Sequence, residues 1–429
     1  MSLAAALGMA ALALTGAANA AAPLSYARQV TYLQAHQIDT TTLTPKYLVK
    51  PPNAAADVAA KLASLSAAGQ KPADTGVTVP YWSTKITSPL DGKTYQVSMV
   101  GGSPYAATPT NTTVTYVPIV LRININGFVF DPTLDANCDS RSASGRFFAS
   151  PLFYPAKFSS NGVGVSGSAG AIQLESAFQR ANFWDAVKGA AYGVTLAPSR
   201  SKPIVLDYTA DPVTYPGDVV LGVRSRCVPG QTNALGVMDI NEYDAVVQQI
   251  AAQFAKPNQI PVVLAYNVVL DEGYPANETC CIIGYHNAIP VTGGTQLYAV
   301  GTYVDPGIFT GPHGATEVSD ISAWSHELAE LIDDPFVQGI EGAPGGLKND
   351  LTPAWGHVGQ VPHCQDNLEV GDPLTGSYFA VKGDEGFVYH YQDLAFHDWF
   401  YRTASTSTGG SGSFKGLFAG GGQPTICTP

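Results

Sequence analysis

The residues with the clearest chemical potential form a His-Glu-x-x-Glu pattern, with His326, Glu327 and Glu330 in the segment 320–335. Residues four positions apart on a helix share one face, so His326 and Glu330 would point the same way, one turn apart. Two side chains in that geometry hold a single metal ion, and zinc peptidases place a general-base carboxylate directly after the first histidine, as Glu327 is placed here. The pattern therefore predicts a zinc site, against the alternative of a helix face turned toward water.

A catalytic zinc site needs three protein ligands and a water molecule, so a third donor must come from another part of the chain. The turn at residues 367–373 supplies two carboxylates, of which Glu369 is the first candidate and Asp372 the second, with His363 as the third. Ordinary turn chemistry is an equally weighted explanation for the two acids. His286, on a strand before the motif, is predicted to line the site as proton donor or oxyanion stabiliser, although a structural histidine is the commoner case.

A helix over residues 320–335 is needed to present these side chains. Its apolar residues recur at steps of three and four and so form one stripe, which is the pattern of an amphipathic helix. The stripe consists of Ile321, Trp324, Leu328, Leu331 and Ile332. Pro335 ends the helix, because the residue before a proline is disfavoured in helical conformation.

The rest of the chain predicts an α+β fold. Strands are expected at residues 95–100, within 114–130, at 260–270, at 282–287 and at 295–303, and helices at 171–187 and 241–254. Strands that lead into a metal-binding helix are how zincin folds are assembled, so a zincin-like core is expected over about residues 235–400, with a β-rich part before it. The expected zincin-like core therefore contains a mixed sheet and the motif helix.

The first residues resemble a secretory signal peptide. Residues 1–20 form an apolar run that ends in Ala18-Asn19-Ala20, a small-residue cleavage pattern. We expect an Ala-rich N-terminal segment or linker at 21–76, the main domain at 77–402 and a Gly/Ser-rich tail at 403–429. No later stretch is long and apolar enough to span a bilayer. The protein is therefore expected to be secreted or periplasmic, without a membrane span in its mature form.

The net charge and the cysteine content limit the possible partners and the role of the cysteines. The formal net charge of −12 argues against a nucleic-acid partner, which would require a basic face. Six cysteines in an exported chain favour disulfides, and their spacing is not that of a structural zinc site. The adjacent residues Cys280 and Cys281 are each expected to pair with a distant cysteine.

These motifs resemble those of a group of exported bacterial proteins of poorly defined function. The shared features are Ser325-His326-Glu327-Leu328-Ala329-Glu330, a following Asp-Asp-Pro and the turn Glu369-Val370-Gly371-Asp372. The chain is similar, more distantly, to the plant phosphate-induced (exordium-like) extracellular proteins. The resemblance covers about residues 170–400 and implies a zincin-like metal site. Pro373 stands where the family usually has a cysteine.

Three functions compete at this point. The first is a zinc metallopeptidase in which His326, Glu330 and Glu369 hold the metal and Glu327 deprotonates water, with a peptide or protein as substrate. The second is a non-catalytic extracellular or cell-wall protein with a structural or vestigial metal site. The third is a carbohydrate-binding module that uses aromatic residues near the C-terminus, namely Tyr389, Tyr391, Trp399 and Tyr401. The sequence does not indicate an oligomeric state.

Overall fold

The computed structural model describes residues 24–38, 45–48, 78–136, 139–224, 231–273, 280–291, 294–309, 318–336, 351–356, 364–383, 385–410, 412–416 and 427. The expected signal peptide at 1–20 lies outside the described residues. So do most of the Ala-rich segment and part of the Gly/Ser-rich tail, together with His363, Cys138 and Cys227.

Helices and strands both contribute to the described part of the chain. The helices are α1 Tyr26–Ala35, α2 Ala143–Phe148, α3 Leu174–Asn182, α4 Trp184–Val187, α5 Ile240–Phe254, α6 Ser322–Asp333 and α7 His397–Tyr401. The strands are β1 Lys46–Leu48, β2 Tyr81–Thr87, β3 Thr94–Val100, β4 Thr110–Ile125, β5 Phe128–Phe130, β6 Ser159–Ser160, β7 Val163–Gly164, β8 Ala191–Pro198, β9 Ile204–Thr209, β10 Val219–Arg224, β11 Thr232–Asp239, β12 Gln259–Tyr266, β13 Val268–Asp271, β14 Ile282–Val291, β15 Gly294–Tyr303, β16 Leu351–Trp355, β17 Gln365–Asn367, β18 Tyr378–Lys382 and β19 Val388–Gln392. The predicted α+β class is confirmed.

One mixed sheet of 11 strands dominates the fold. Eight of its strands follow the order β10-β11-β13-β14-β15-β12-β4-β5, while β1 pairs with β14 and both β8 and β9 pair with β4. The pairs β11–β13, β12–β15 and β12–β4 are parallel, whereas β13–β14 and β14–β15 are antiparallel. Strand β14 therefore runs opposite to both β13 and β15, whereas β15 is parallel to β12.

Both faces of this sheet are covered. Along β12, Ile260, Val262 and Leu264 belong to one buried cluster, and the alternate residues Val263 and Ala265 belong to another. Successive strand residues point to opposite faces, so the two clusters lie on opposite sides of the sheet. The first cluster contains the apolar side chains of α6, and the second contains those of α5.

The motif helix α6 is enclosed on all sides. It packs on β14 and β15 of the large sheet, and β3, β19 and α3 also contact it. Each of its 12 residues is buried. The alternative of a helix face turned toward water is therefore wrong, because the hairpin β18–β19 and the segment before it cover the face opposite the sheet.

Two predicted elements are divided in the structure. The strand expected at 260–270 is interrupted at Asn267, whose backbone adopts a positive φ of 50°. The Asn267 side chain donates to Asp305 Oδ2 at 2.8 Å and accepts from the Asp305 backbone N–H at 2.9 Å. The helix expected at 171–187 is likewise split, into α3 and α4, at Phe183. A sequence pattern of apolar residues continues through both breaks and so does not reveal them.

The described parts of the Ala-rich N-terminal segment join the sheet. Strand β1 pairs in parallel with β14, and α1 packs against β10 and β11. A bridge between Gln37 and Gly222 connects the end of α1 to β10. None of the helices described here is both long and apolar enough to cross a bilayer.

Two disulfides lie among the described cysteines. Cys364 and Cys427 are bonded, which ties the C-terminal tail to the residue before β17 across 63 positions. Cys280 and Cys281 are bonded to each other, so the prediction of a distant partner for each is wrong. The cis peptide between these two residues brings their Cα atoms to 3.1 Å, which places the two sulfurs side by side.

Candidate metal centre

Three glycines make room for the side chains of α6. A β-carbon at Gly371 would lie 2.3 Å from His326 Nδ1, and one at Gly284 would lie 2.6 Å from Glu327 Cγ. At Gly301 it would lie 2.9 Å from a ring carbon of Trp324. Because real β-carbon contacts are not this short, the helix can approach strands β14 and β15 and the 367–373 turn only where these positions lack side chains.

The Glu330 carboxylate lies at the middle of the site. Its Oε1 accepts a hydrogen bond from the Gly371 backbone N–H at 2.9 Å. Its Oε2 lies 2.8 Å from His326 Nε2 and 3.9 Å from His286 Nδ1. One oxygen of Glu330 is thus held by the turn, and the other lies between two imidazole rings.

His286 reaches the site from β14. Its Nε2 lies 3.2 Å from the carbonyl oxygen of Asp334, and a carbonyl only accepts, so Nε2 carries the proton. Burial lowers the pKa of His286 to about 4, so its ring is neutral near pH 7. The lone pair of Nδ1 then faces Glu327 Oε2 at 3.4 Å. An acceptor nitrogen opposite a carboxylate needs either a proton on the acid or a cation between them.

Glu369 and Asp372 join the cluster from the turn before β18. Glu369 is 1% exposed and hydrogen-bonds with the Glu330 carboxyl group. Asp372 Oδ1 lies 3.7 Å from His326 Nε2. The structure therefore brings together all six predicted site residues that it describes.

The carboxyl groups of the cluster titrate abnormally. Burial, followed by repulsion from neighbouring carboxylates, raises the pKa values of Glu327 and Glu369 well above their ordinary range. Burial would also raise the pKa of Glu330, but attraction to the imidazoles of His326 and His286 outweighs it and lowers that pKa. A single buried site thus holds acids whose pKa values are shifted in opposite directions, which is an arrangement common at functional sites.

These donors fit a divalent cation. Ligand atoms of His286, Glu330 and Glu369 lie within 4.8 Å of one another, as do those of His326, Glu327 and Glu330. Oε1 of Glu327 and Oε1 of Glu369 are buried without a hydrogen-bond partner. Over the described ranges, no Lys or Arg forms an ion pair with Glu327, Glu330 or Glu369. Buried carboxylates without a cationic side chain are a donor set that a metal ion satisfies.

Sequence reasoning missed the residues that hold the turn in place. The Gln392 side chain donates to the Gly371 carbonyl, and the Gln392 backbone N–H donates to Ser325 Oγ at 3.0 Å. His397 contacts Asp333 Oδ1 at 3.0 Å, and this pairing explains the acid at the C-terminal end of α6. The glycine between two acids at Gly371 was the only sequence signal for this support. The sequence pattern gives no such signal for Gln392 or for His397.

The aromatic residues near the C-terminus do not form a sugar-binding platform. Tyr389, Tyr391 and Tyr401 are fully buried and Trp399 is nearly so, and all four belong to the cluster that contains α6. Aromatic platforms for sugars require exposed ring faces, so the carbohydrate-binding prediction based on these residues is wrong.

No known protein family, no curated protein and no solved structure matches this chain. The resemblance to exported bacterial proteins, which was drawn from the motifs, therefore stays a prediction.

Proposed function

We propose that this protein is a zinc-dependent hydrolase of the zincin type that acts on peptide bonds. The observation that supports the proposal most is the grouping of five buried side chains: ligand atoms of His326, Glu327 and Glu330 lie within 4.8 Å of one another, as do those of His286, Glu330 and Glu369. Asp372 Oδ1 lies 3.7 Å from His326 Nε2. The placement of α6 on a mixed sheet and the resemblance of its motif to exported proteins with a zincin-like site agree with it.

His326 and Glu330 would hold the metal, with Glu369 or Asp372 as the third ligand. Bound zinc polarises a carbonyl group and lowers the pKa of water, which is the chemistry that peptide hydrolysis requires. Glu327 would accept a proton from water at its unpartnered Oε1 and pass it to the leaving amine. A raised pKa suits this role, because a general base works best when its pKa is near the working pH.

His286 fits a ligand better than a proton donor. Its protonated nitrogen is already engaged with the Asp334 carbonyl, and its lone pair faces the acids of the cluster. Ligand histidines commonly make such a hydrogen bond through the second ring nitrogen to fix their orientation.

Export of the protein is part of the proposal. The signal-like residues 1–20 suggest it, and the disulfide between Cys364 and Cys427 is of a kind that persists in oxidising compartments. We therefore propose a secreted or periplasmic location and a peptide or protein substrate.

A structural metal site is the second candidate, and burial is the observation that favours it. His326 and Glu327 are 0% exposed. Structural zinc sites are closed, whereas catalytic ones keep a position open for water and substrate. The same ligands would then stabilise the contact between α6 and the 367–373 turn without turnover.

The two candidates are separated by metal analysis combined with a peptide-library assay. For the hydrolase, Glu327→Gln keeps the metal content of the wild type and loses hydrolysis by about 10²- to 10⁴-fold, because only the base is removed. Glu272→Gln, at an exposed acid, is the matched control and should change neither quantity. If the wild type binds metal but does not hydrolyse peptides, only the structural metal site remains as a candidate. If it takes up no zinc, both the hydrolase and the structural site are excluded.

A further inference from the structure

We propose that this centre binds two divalent cations bridged by Glu330, rather than one. The inference rests on the proposed metal site and changes its composition. It is carried by the way the donor atoms divide, by the hydrogen bond of His286 to the Asp334 carbonyl and by the number of buried carboxyl groups.

The donors form two sets of three that share a single residue. One set contains His286, Glu330 and Glu369, and the other contains His326, Glu327 and Glu330. Each set has one imidazole and two carboxyl groups, which is a complete three-ligand site for a metal ion. A three-ligand site for a single ion would leave two of these five donor residues outside its ligand set.

Glu330 has the geometry of a bridge. The Gly371 N–H holds Oε1, which fixes the carboxylate plane and leaves Oε2 between the imidazoles. Oε2 lies 2.8 Å from His326 Nε2 and 3.9 Å from His286 Nδ1. The shared oxygen can therefore serve a cation beside each ring.

The hydrogen bond of His286 points to a second ion. Because Nε2 donates to the Asp334 carbonyl, the Nδ1 lone pair is directed toward Glu327 and Glu330. A lone pair that faces carboxyl groups needs either a proton on one of them or a cation between them, and a second bound ion supplies the cation. In the one-ion arrangement of His326, Glu330 and Glu369, His286 is left outside the ligand set.

The charge of the cluster also indicates two divalent cations. Glu327, Glu330, Glu369 and Asp372 are all buried, and once bound metal has displaced their protons they carry four negative charges. Two divalent cations neutralise that charge, whereas one leaves a buried excess that is costly in a low-dielectric interior. By analogy of donor count alone, two imidazoles and four carboxylates hold two ions in carboxylate-bridged di-iron and di-manganese proteins.

The second ion is compatible with Glu327 acting as base. Asp372 Oδ1, 3.7 Å from His326 Nε2, can complete the set of His326 and Glu330 and leave Glu327 unbound. Pairs of metal ions about 3.5–4 Å apart occur in aminopeptidases, where they stabilise both the attacking and the leaving groups. This arrangement assigns the centre to the class of two-metal hydrolases.

The test is the metal stoichiometry of the full chain. Metal-free protein is titrated with Zn²⁺ alone and, separately, with Mn²⁺ alone, and bound metal is measured by elemental analysis after removal of excess. We expect about two equivalents of each, and an exchange-coupled signal from the manganese form in electron paramagnetic resonance. Saturation at one equivalent would overturn this inference and leave the proposed hydrolase intact, whereas no bound metal would overturn both.

Single variants identify which donors serve each ion. His286→Asn removes a ligand from one set only, so it should reduce saturation to about one equivalent and abolish the exchange-coupled signal. Glu330→Gln, which removes the bridge, should lose the second equivalent and weaken the first. His390→Asn is the matched control, because His390 pairs with Asp320 outside the cluster and should keep both equivalents. A His286→Asn variant that keeps two equivalents and an unchanged signal would contradict the assignment.

Discussion

Replacing Gly371 with alanine tests whether the 367–373 turn positions His326, a proposed metal ligand. Gly371 has φ −88° and ψ −33°, a conformation that alanine adopts without strain. The added methyl group would lie 2.3 Å from His326 Nδ1 and 2.7 Å from its Cε1. Ordinary contacts begin near 3.4 Å, so the ring or the turn must move by about 1 Å.

The expected loss follows from that displacement. Disturbing the groups that orient a metal ligand typically weakens binding about 10- to 100-fold, or about 1.4–2.7 kcal/mol. Overpacking should also lower the free energy of unfolding of the metal-free protein by about 1–3 kcal/mol. Zinc affinity is measured by competition with a chromophoric chelator, and stability is measured by urea denaturation of the metal-free form.

Gly164→Ala is the matched control, because a β-carbon there meets nothing within 4 Å. It should leave both zinc affinity and stability within error of the wild type. If Gly371→Ala binds zinc as tightly as the wild type and unfolds at the same urea concentration, the close contact between the turn and His326 does not exist in solution. The arrangement of the site around His326 and the 367–373 turn would then be wrong.

Three further outcomes are expected. Chelation of the metal should lower Tm by about 5 °C or more, because buried carboxylates lose their counterion, and an unchanged calorimetric trace would argue against a bound ion. Burial, then repulsion from Asp239, raises the pKa of Asp271 to about 7, so its carboxyl group holds a proton in the folded state that the unfolded chain has lost. The protonated Asp271 contributes fully to the free energy of unfolding below about pH 4, and this contribution is lost as the pH rises through 7. The free energy of unfolding of Asp271→Asn, measured by denaturation at each pH, should therefore decline less over this range than that of the wild type. Parallel pH profiles of the two proteins would refute this prediction. Cys427→Ser opens the 63-residue loop closed by Cys364 and should cost about 4 kcal/mol of unfolding free energy relative to oxidised wild type. After reduction of both proteins, the variant and the wild type should unfold alike, and a difference that persists would contradict this assignment.

The sequence predicted the site better than it predicted the surroundings. The spacing of His326 and Glu330 determines their common face once a helix forms. The acids of the turn were identified because two carboxylates stand together there in a chain poor in Glu. Local periodicity also located α5, α6, β14 and β15 to within a few residues. These features depend on neighbours in the chain, which a pattern can record.

Features that depend on long-range contacts were not predictable in this way. Full burial of α6 results from the hairpin β18–β19 that packs over it, more than 40 positions later in the chain. The break at Asn267 depends on Asp305, which lies 38 positions later in the chain. His286 likewise gained its orientation from the Asp334 carbonyl, a backbone atom that no motif identifies.

The three glycines that face α6 define how distant relatives of this protein can be recognised. A chain that retained the site while exchanging most of its surface would still need an absent side chain at 284, 301 and 371, since the rings and acid opposite already fill those volumes. A search profile that weights these three empty positions as heavily as the histidines and glutamates would separate true homologues from chance occurrences of the short helical motif.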